Sequence, residues 1–364
     1  MRLVAPPSAV EEYRRHLRWK RLVLTTSIVL LPILFCIAIS LGVIRIPVCD
    51  VFKAMVDGLR MDSATANTGS RVILYSRLPQ AFLAVLAGAG LSITGTAMQA
   101  VLRNPLSSPF TLGISSAAAF GAACVVVFGG GTIAILDRVI SMTGFPYGAI
   151  AVGAFVSSLL ATGLILLLAG RKHIRTETII LTGVALSAFY GAGMMLLQYI
   201  AEEQQLAAIV YWTFGDTPRG TWPVIYVLGI LVPLAAFWFC LQGWNYNALS
   251  LGEETARGLG VSVRRVRGLT MLIGSLLTSV LVASLGVIGF VGLVVPHLCR
   301  LLIGSDHRYV LPLSFFLGGG LLLVSDTAAR LVVQPRVMPV SILTAFIGAP
   351  IFLFMLLRKG GSSC

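Results

Sequence analysis

Apolar and polar positions along this chain fall into long alternating blocks. Ten apolar blocks can be drawn, at residues 22–43, 79–102, 110–129, 147–169, 178–200, 222–241, 269–290, 291–304, 309–332 and 338–357. Runs of this kind read as transmembrane helices, because a helix satisfies every backbone N–H and C=O where lipid offers no partner. The eighth block is short for a crossing, which suggests a half-helix or a tight join to the seventh, and Pro296 inside it predicts a break. The pattern predicts an all-α polytopic membrane protein of about ten helices. A single membrane domain spans residues 22–357, with polar tails at 1–21 and 358–364. A count of ten suggests two five-helix halves. An odd number per half would set the halves in opposite orientations, as an inverted repeat. Within the second block, Ala84, Gly88, Ser92, Thr96 and Ala100 form a stripe of small residues four apart, which predicts a closely approaching neighbour helix.

Composition agrees. The chain is 57% hydrophobic and 11% charged, with a mean hydropathy of +0.92, more apolar surface than a soluble fold can bury. The net charge of +13 does not indicate nucleic acid, because the basic residues cluster at the ends of apolar runs. With the N-terminus inside, Lys and Arg number 18 in inner segments and 9 in outer ones, which predicts both termini in the cytoplasm. The basic start, Arg14 to Arg21, followed by residues 22–43, resembles a signal peptide. Its apolar run is too long for one, and no A-x-A site follows. The longest outer loop is 44–76, with turn-forming residues at 57–70. Six scattered cysteines form no CxxC pair and suggest neither a disulfide framework nor a metal site.

Three features invite chemistry. The first is the polar island at 249–268, LSLGEETARGLGVSVRRVRG, within an inner loop at 245–268. Glu253 and Glu254 suit a helix N-terminus, and Arg257 faces Glu253 at i,i+4 and Glu254 at i,i+3. Gly258 and Gly260 should then break that helix, with a second short one at about 261–267. The island reads either as a docking surface of two short helices or as a loop whose arginines only set topology. The second is Asp326 within the ninth block, read either as an ion pair with Arg330 four residues on or, with His297, as a proton relay. The third is Arg77, before Leu78-Pro79 at the outer start of the second block. With Arg330 it makes two outer cations, suited either to partner carboxylates or to interfacial snorkelling. No G-x-x-x-x-G-K-[ST], H-E-x-x-H or G-x-S-x-G occurs, so the chain carries no ATP-binding P-loop and lacks the usual tools of an intramembrane hydrolase.

Several spaced blocks resemble the FecCD-type permeases, the membrane subunits of iron-siderophore, haem and cobalamin ABC importers. They are RLPQAFLAVLAGAGL from Arg77, GTAMQA from Gly95, NPLSSPFTLG from Asn104, GEETARGLG from Gly252, GVIGFVGLVVPH from Gly286, SDHR from Ser305 and GAP from Gly348. The resemblance implies a non-enzymatic ten-helix translocation subunit for a ferric siderophore or similar chelate, with no cofactor of its own. It implies a second permease copy or homologue, two separate ATP-hydrolysing subunits and an extracytoplasmic binding protein. Gly252, Glu253, Glu254, Thr255, Ala256, Arg257, Gly258, Leu259 and Gly260 match the family's ATPase-coupling helices. Arg77 and Arg330 match arginines that meet glutamates of the binding protein, and Gln80 stands where the cobalamin permease has a second arginine. The family's pathway is lined largely by the fifth and tenth spans, which here offers Thr182, Ser187, Tyr190 and Gln198 on the fifth. The rival reading is a proton-coupled secondary transporter using Asp326 and His297.

Overall fold

The computed structural model describes residues 9–42, 47, 51, 71–129, 148–169, 176–333 and 336–360. The turn-rich part of the loop expected to be the longest outer one, the loop at 170–175 and the segment 130–147 between the third and fourth spans lie outside them.

Among the described residues the chain is all helical. In order, the helices are α1 (Ala9–Ser40), α2 (Leu78–Val101), α3 (Ile114–Phe128), α4 (Gly148–Ala169), α5 (Thr176–Ile200), α6 (Glu203–Thr213) and α7 (Trp222–Leu241). There follow α8 (Gly243–Ser250), α9 (Glu253–Gly258), α10 (Val263–Leu285), α11 (Val291–Ile303), α12 (His307–Val332) and α13 (Val340–Gly360). Seven of the apolar helices are long enough to cross a membrane. Three shorter ones, α3, α11 and the apolar part of α13, complete the ten expected from the hydrophobic pattern. α6 was not expected. It is a three-turn helix held by a capping box between Glu202 and Gln205, and its apolar content is too low to register as a block.

α2 is the hub, with α1, α7, α8, α10, α11 and α12 packed around it. The small-residue stripe explains how. A Cβ on Gly88 would collide with the carbonyl of Gly318 on α12, and Ser92 donates to the carbonyl of Ser314 at 2.5 Å. Gly95 meets the backbone of Gly292 on α11 in the same way. With no hydrophobic drive between helices in lipid, such close backbone approach supplies the packing energy.

α11 corrects one expectation. Pro296 does not break it; the helix runs through. Proline removes the N–H that would bond the carbonyl four residues back, that of Gly292. That carbonyl lies 3.4 Å from Gln99 Nε2 of α2, which donates to it, and Gln99 Oε1 accepts from Arg300 at 2.5 Å. A side chain of the neighbouring helix thus replaces the missing bond.

Candidate functional site: an exposed helical knob and a buried polar cluster

The island at 249–268 folds into a projecting knob. α8 precedes Gly252, whose φ of +123° is accessible to glycine and starts α9. At the far end Gly260 has φ +83°. The N–H of Val261 bonds the carbonyl of Ala256 at 2.9 Å, and the N–H of Gly260 bonds that of Arg257 at 2.9 Å. This is a Schellman stop, with Gly260 as its left-handed residue. The expectation that Gly258 also breaks the helix is wrong. Gly258 is the last residue of α9, has no positive φ, and a side chain there would meet open space. The second short helix expected at about 261–267 is also wrong. Residues 263–267 instead open α10, which continues into the membrane span. The partner of α9 lies before it, as α8, because an apolar run ending at Leu241 leaves room for two more turns before Gly252.

Only Ala256 of α9 is buried, and it seats the helix on the core. Glu254, Thr255, Arg257, Gly258, Leu259 and Gly260 are exposed, as are the neighbouring Trp244 and Leu251. Arg257 lies 3.6 Å from Glu253, the expected i,i+4 pair. An exposed pair of this kind is worth little. The stronger contact was missed. Glu253 also pairs with Arg267 of α10, which is buried, and whose Nε donates to the carbonyl of Val101 at the end of α2 at 3.3 Å. Arg267 thus binds the start of α9 to α10 and to the hub helix. Its position among three arginines of one basic run hid it.

A second tie sits beside the knob. Asp306 caps α12, accepting from the N–H of Arg308 at 3.2 Å. It also accepts from Arg308 Nε and from Asn247 Nδ2 of α8 at 2.8 Å. These bonds favour the charged form and hold its carboxyl well below the usual range. The Arg308 guanidinium lies 4.1 Å over the ring of Trp244.

At the opposite end of α12, Asp326 is 2% exposed and held by three side chains. Arg330 lies 3.2 Å from it, Gln80 Nε2 donates to it at 2.9 Å, and Thr217 donates its hydroxyl to the same oxygen. The pairing with Arg330 expected from i,i+4 spacing is present, joined by partners from α2 and from the loop after α6. Gln80, the family departure, is thereby placed in the core. Asp216 beside this cluster is pushed up to about 6, first by burial and then by the charge of Asp326, with Arg219 opposing.

Arg77 and Arg330 are not the exposed outer cations that the sequence suggested. They are 6% and 7% exposed. Arg77 donates to the carbonyls of Ile39 and Ser40 at 2.9 and 3.3 Å, and Arg330 to that of Ala38 at 3.2 Å. Together they cap the C-terminus of α1, where cations complement the helix dipole. A turn of π-helix at Ile73–Arg77 delivers the first of them. Their pattern in sequence gave no sign that the end of α1, distant in sequence from both, would lie against them. His297 is buried in α11, on a helix separate from that of Asp326.

The four polar residues of α5 are half-buried. The hydroxyls of Thr182 and Ser187 return to their own helix, donating to the carbonyls of Thr178 and Gly183 at 2.8 and 3.0 Å. The ring of Tyr190 packs 5.6 Å from that of Phe120 on α3. The exposed side of α5 is instead apolar, with Leu181, Val184, Met195 and Leu196.

Known proteins place this arrangement. The chain is 38% identical to the hemin transport system permease of Yersinia pestis over 298 residues, covering 82% of this chain and 86% of that one. It is 35% identical to the vitamin B12 import system permease of Vibrio vulnificus over 342 residues, 94% of this chain and 95% of that one. An ABC transporter permease of Methanocaldococcus jannaschii is 48% identical over 288 residues, 79% of this chain and 82% of that one. A solved ABC transporter assigned to the metal-chelate type, in an inward-facing conformation, superposes with a TM-score of 0.77 at 29% identity over 92% of this chain and 99% of that one. The model of the FecCD transport family matches residues 30–358, and with relatives aligned along most of their length the chain belongs to that family, as a membrane permease subunit of an ABC transporter.

Proposed function

We propose that this chain carries a ferric siderophore, or a similar metal chelate, across the cytoplasmic membrane, with both its termini in the cytoplasm. The observation behind this reading is chemical. The relatives are named for haem and vitamin B12 and the solved neighbour for metal chelates, and in each the cargo is a metal held in an organic cage. A ferric siderophore has that same character.

In this reading two permease copies, or this chain and a homologue, form the translocation unit. Two separate ATP-hydrolysing subunits dock on the knob of α8 and α9, and an extracytoplasmic binding protein delivers cargo. The exposed Leu251, Leu259 and Trp244 with Arg257 and Glu254 make a mixed apolar and charged patch of the kind protein docking uses. Movement of α9 passes through Glu253 and Arg267 into α10 and α2. The pathway runs along α5. Tyr190 packs against Phe120 of α3 here, so its contact with cargo requires α5 to turn or part from α3 during the cycle. The engagement of Asp326 by Arg330, Gln80 and Thr217 favours a structural role over a proton relay.

The test is transport into vesicles holding the permease with its ATPase subunits and binding protein. ATP-dependent uptake of an iron-labelled siderophore, exceeding that of haem and cobalamin, is expected. Uptake of haem or cobalamin alone would reassign the cargo, and uptake driven by a pH gradient without ATP would overturn the reading.

A further inference from the structure

We propose that the N-terminal end of α1 binds anionic phospholipid headgroups through Arg14, Arg15 and Arg18. α1 runs unbroken from Ala9 to Ser40, 32 residues. At 1.5 Å per residue that is about 48 Å, against a hydrocarbon core of about 30 Å. One end must therefore pass through a headgroup layer. The apolar part of the helix shows which face meets lipid. Leu22, Val29 and Ile33, spaced at seven and four residues, are 56%, 62% and 50% exposed. Stepping back from Leu22 by four and by seven residues along that same face gives Arg18 and Arg15, and four before Arg18 gives Arg14. All three are exposed. The lipid-facing stripe thus becomes a cationic stripe within one to two turns of its last apolar residue, the depth at which phosphates lie.

Two further observations fix depth and orientation. Trp19 is half exposed and donates its indole N–H to the carbonyl of Leu302 at 3.0 Å. An amphipathic indole in that position marks the membrane interface. The opposite face of the helix is already occupied. Lys20 lies 3.9 Å from Asp306 and 5.5 Å from the ring of Tyr309. The protein core thus holds one side of α1 while Arg14, Arg15 and Arg18 are presented outward in register with lipid. A protein docked on those arginines would have to share its footprint with the bilayer surface below Leu22, which argues for a lipid occupant.

The probe is phosphatidylglycerol, titrated against phosphatidylcholine into the purified full chain in mild detergent, with bound lipid counted by native mass spectrometry. The wild type is expected to prefer phosphatidylglycerol at low salt and to lose the preference at high salt. Each arginine near an anionic surface is worth about fivefold in affinity. The variant R14Q/R15Q/R18Q should lose at least that factor, and the charge-conserving R14K/R15K/R18K should keep it. Lys20→Gln, on the docked face, should leave the preference unchanged. Equal affinities in wild type and the triple glutamine variant would overturn the proposal. So would an equal loss in Lys20→Gln, which would mean that net charge alone is sensed. Unchanged lipid affinity with weakened co-purification of the ATPase subunit would mark the stripe as a protein contact and also overturn it.

Discussion

Gly258 and Gly260 stand two residues apart in the knob, and alanine at each is expected to act with opposite sign. Gly260 holds φ +83°, which L-residues adopt at a cost of about 1–2 kcal/mol, more for a β-branched side chain. A Cβ there meets no neighbour, so the penalty is backbone strain alone. Gly258 is helical and equally open, so alanine there gains up to about 1 kcal/mol of helix propensity. Because Ala256 is the one buried residue of α9 and the Glu253–Arg267 tie holds its other end, the loop relieves strain at Gly260 by re-routing locally rather than by unfolding the bundle. A penalty of one to two kcal/mol shifts such a local equilibrium by about 5–30-fold. Gly260→Val should therefore leave the thermal midpoint of the membrane domain nearly unchanged. In proteoliposomes with the ATPase subunits and binding protein, cargo-stimulated ATP hydrolysis and uptake should fall together. Gly258→Ala should retain both. Full coupling in Gly260→Val, or uncoupling in Gly258→Ala, would show that the Schellman stop does not set the docking geometry.

Arg77→Gln and Arg330→Gln should each destabilise the domain by about 1–3 kcal/mol, because carbonyls at the end of α1 lose charged donors, and thermal unfolding should show little dependence on salt since the contacts are buried. A loss confined to binding-protein affinity at low salt would contradict the capping role. Asp326→Asn should cost about 3–5 kcal/mol by leaving Arg330 without its carboxylate, while ATP-driven uptake stays insensitive to an imposed pH gradient. Asp216 has a carboxyl raised to about 6, so the folded state binds its proton more tightly than the unfolded chain. Its contribution to stability is complete below the ordinary range near 4 and is lost as pH rises through 6. Thermal melts from pH 4 to 7 should show that loss in the wild type and a flatter profile in Asp216→Asn.

The sequence by itself determined the ten apolar helices, because a bilayer forces each apolar stretch to satisfy its own backbone, and that demand is written locally. It determined the tight approach to α2, since small residues four apart leave a groove whatever fills it. The acid-rich start of α9 and the Asp326–Arg330 pair were legible for the same reason: both are contacts within a single turn. Only the tertiary structure decided the rest. That Arg77 and Arg330 would cap α1 depends on where a distant helix ends. That Glu253 would choose Arg267 as well as Arg257 depends on how α10 leans on α9 and α2. That Gly260 rather than Gly258 would turn left-handed depends on where the chain must leave α9 to enter the next span. Pro296 reads as a helix breaker until Gln99 of another helix is seen to reach the carbonyl it orphans. Local spacing specifies bonds within one turn of helix, whereas burial and long-range partners arise from the meeting of faces that no single segment encodes.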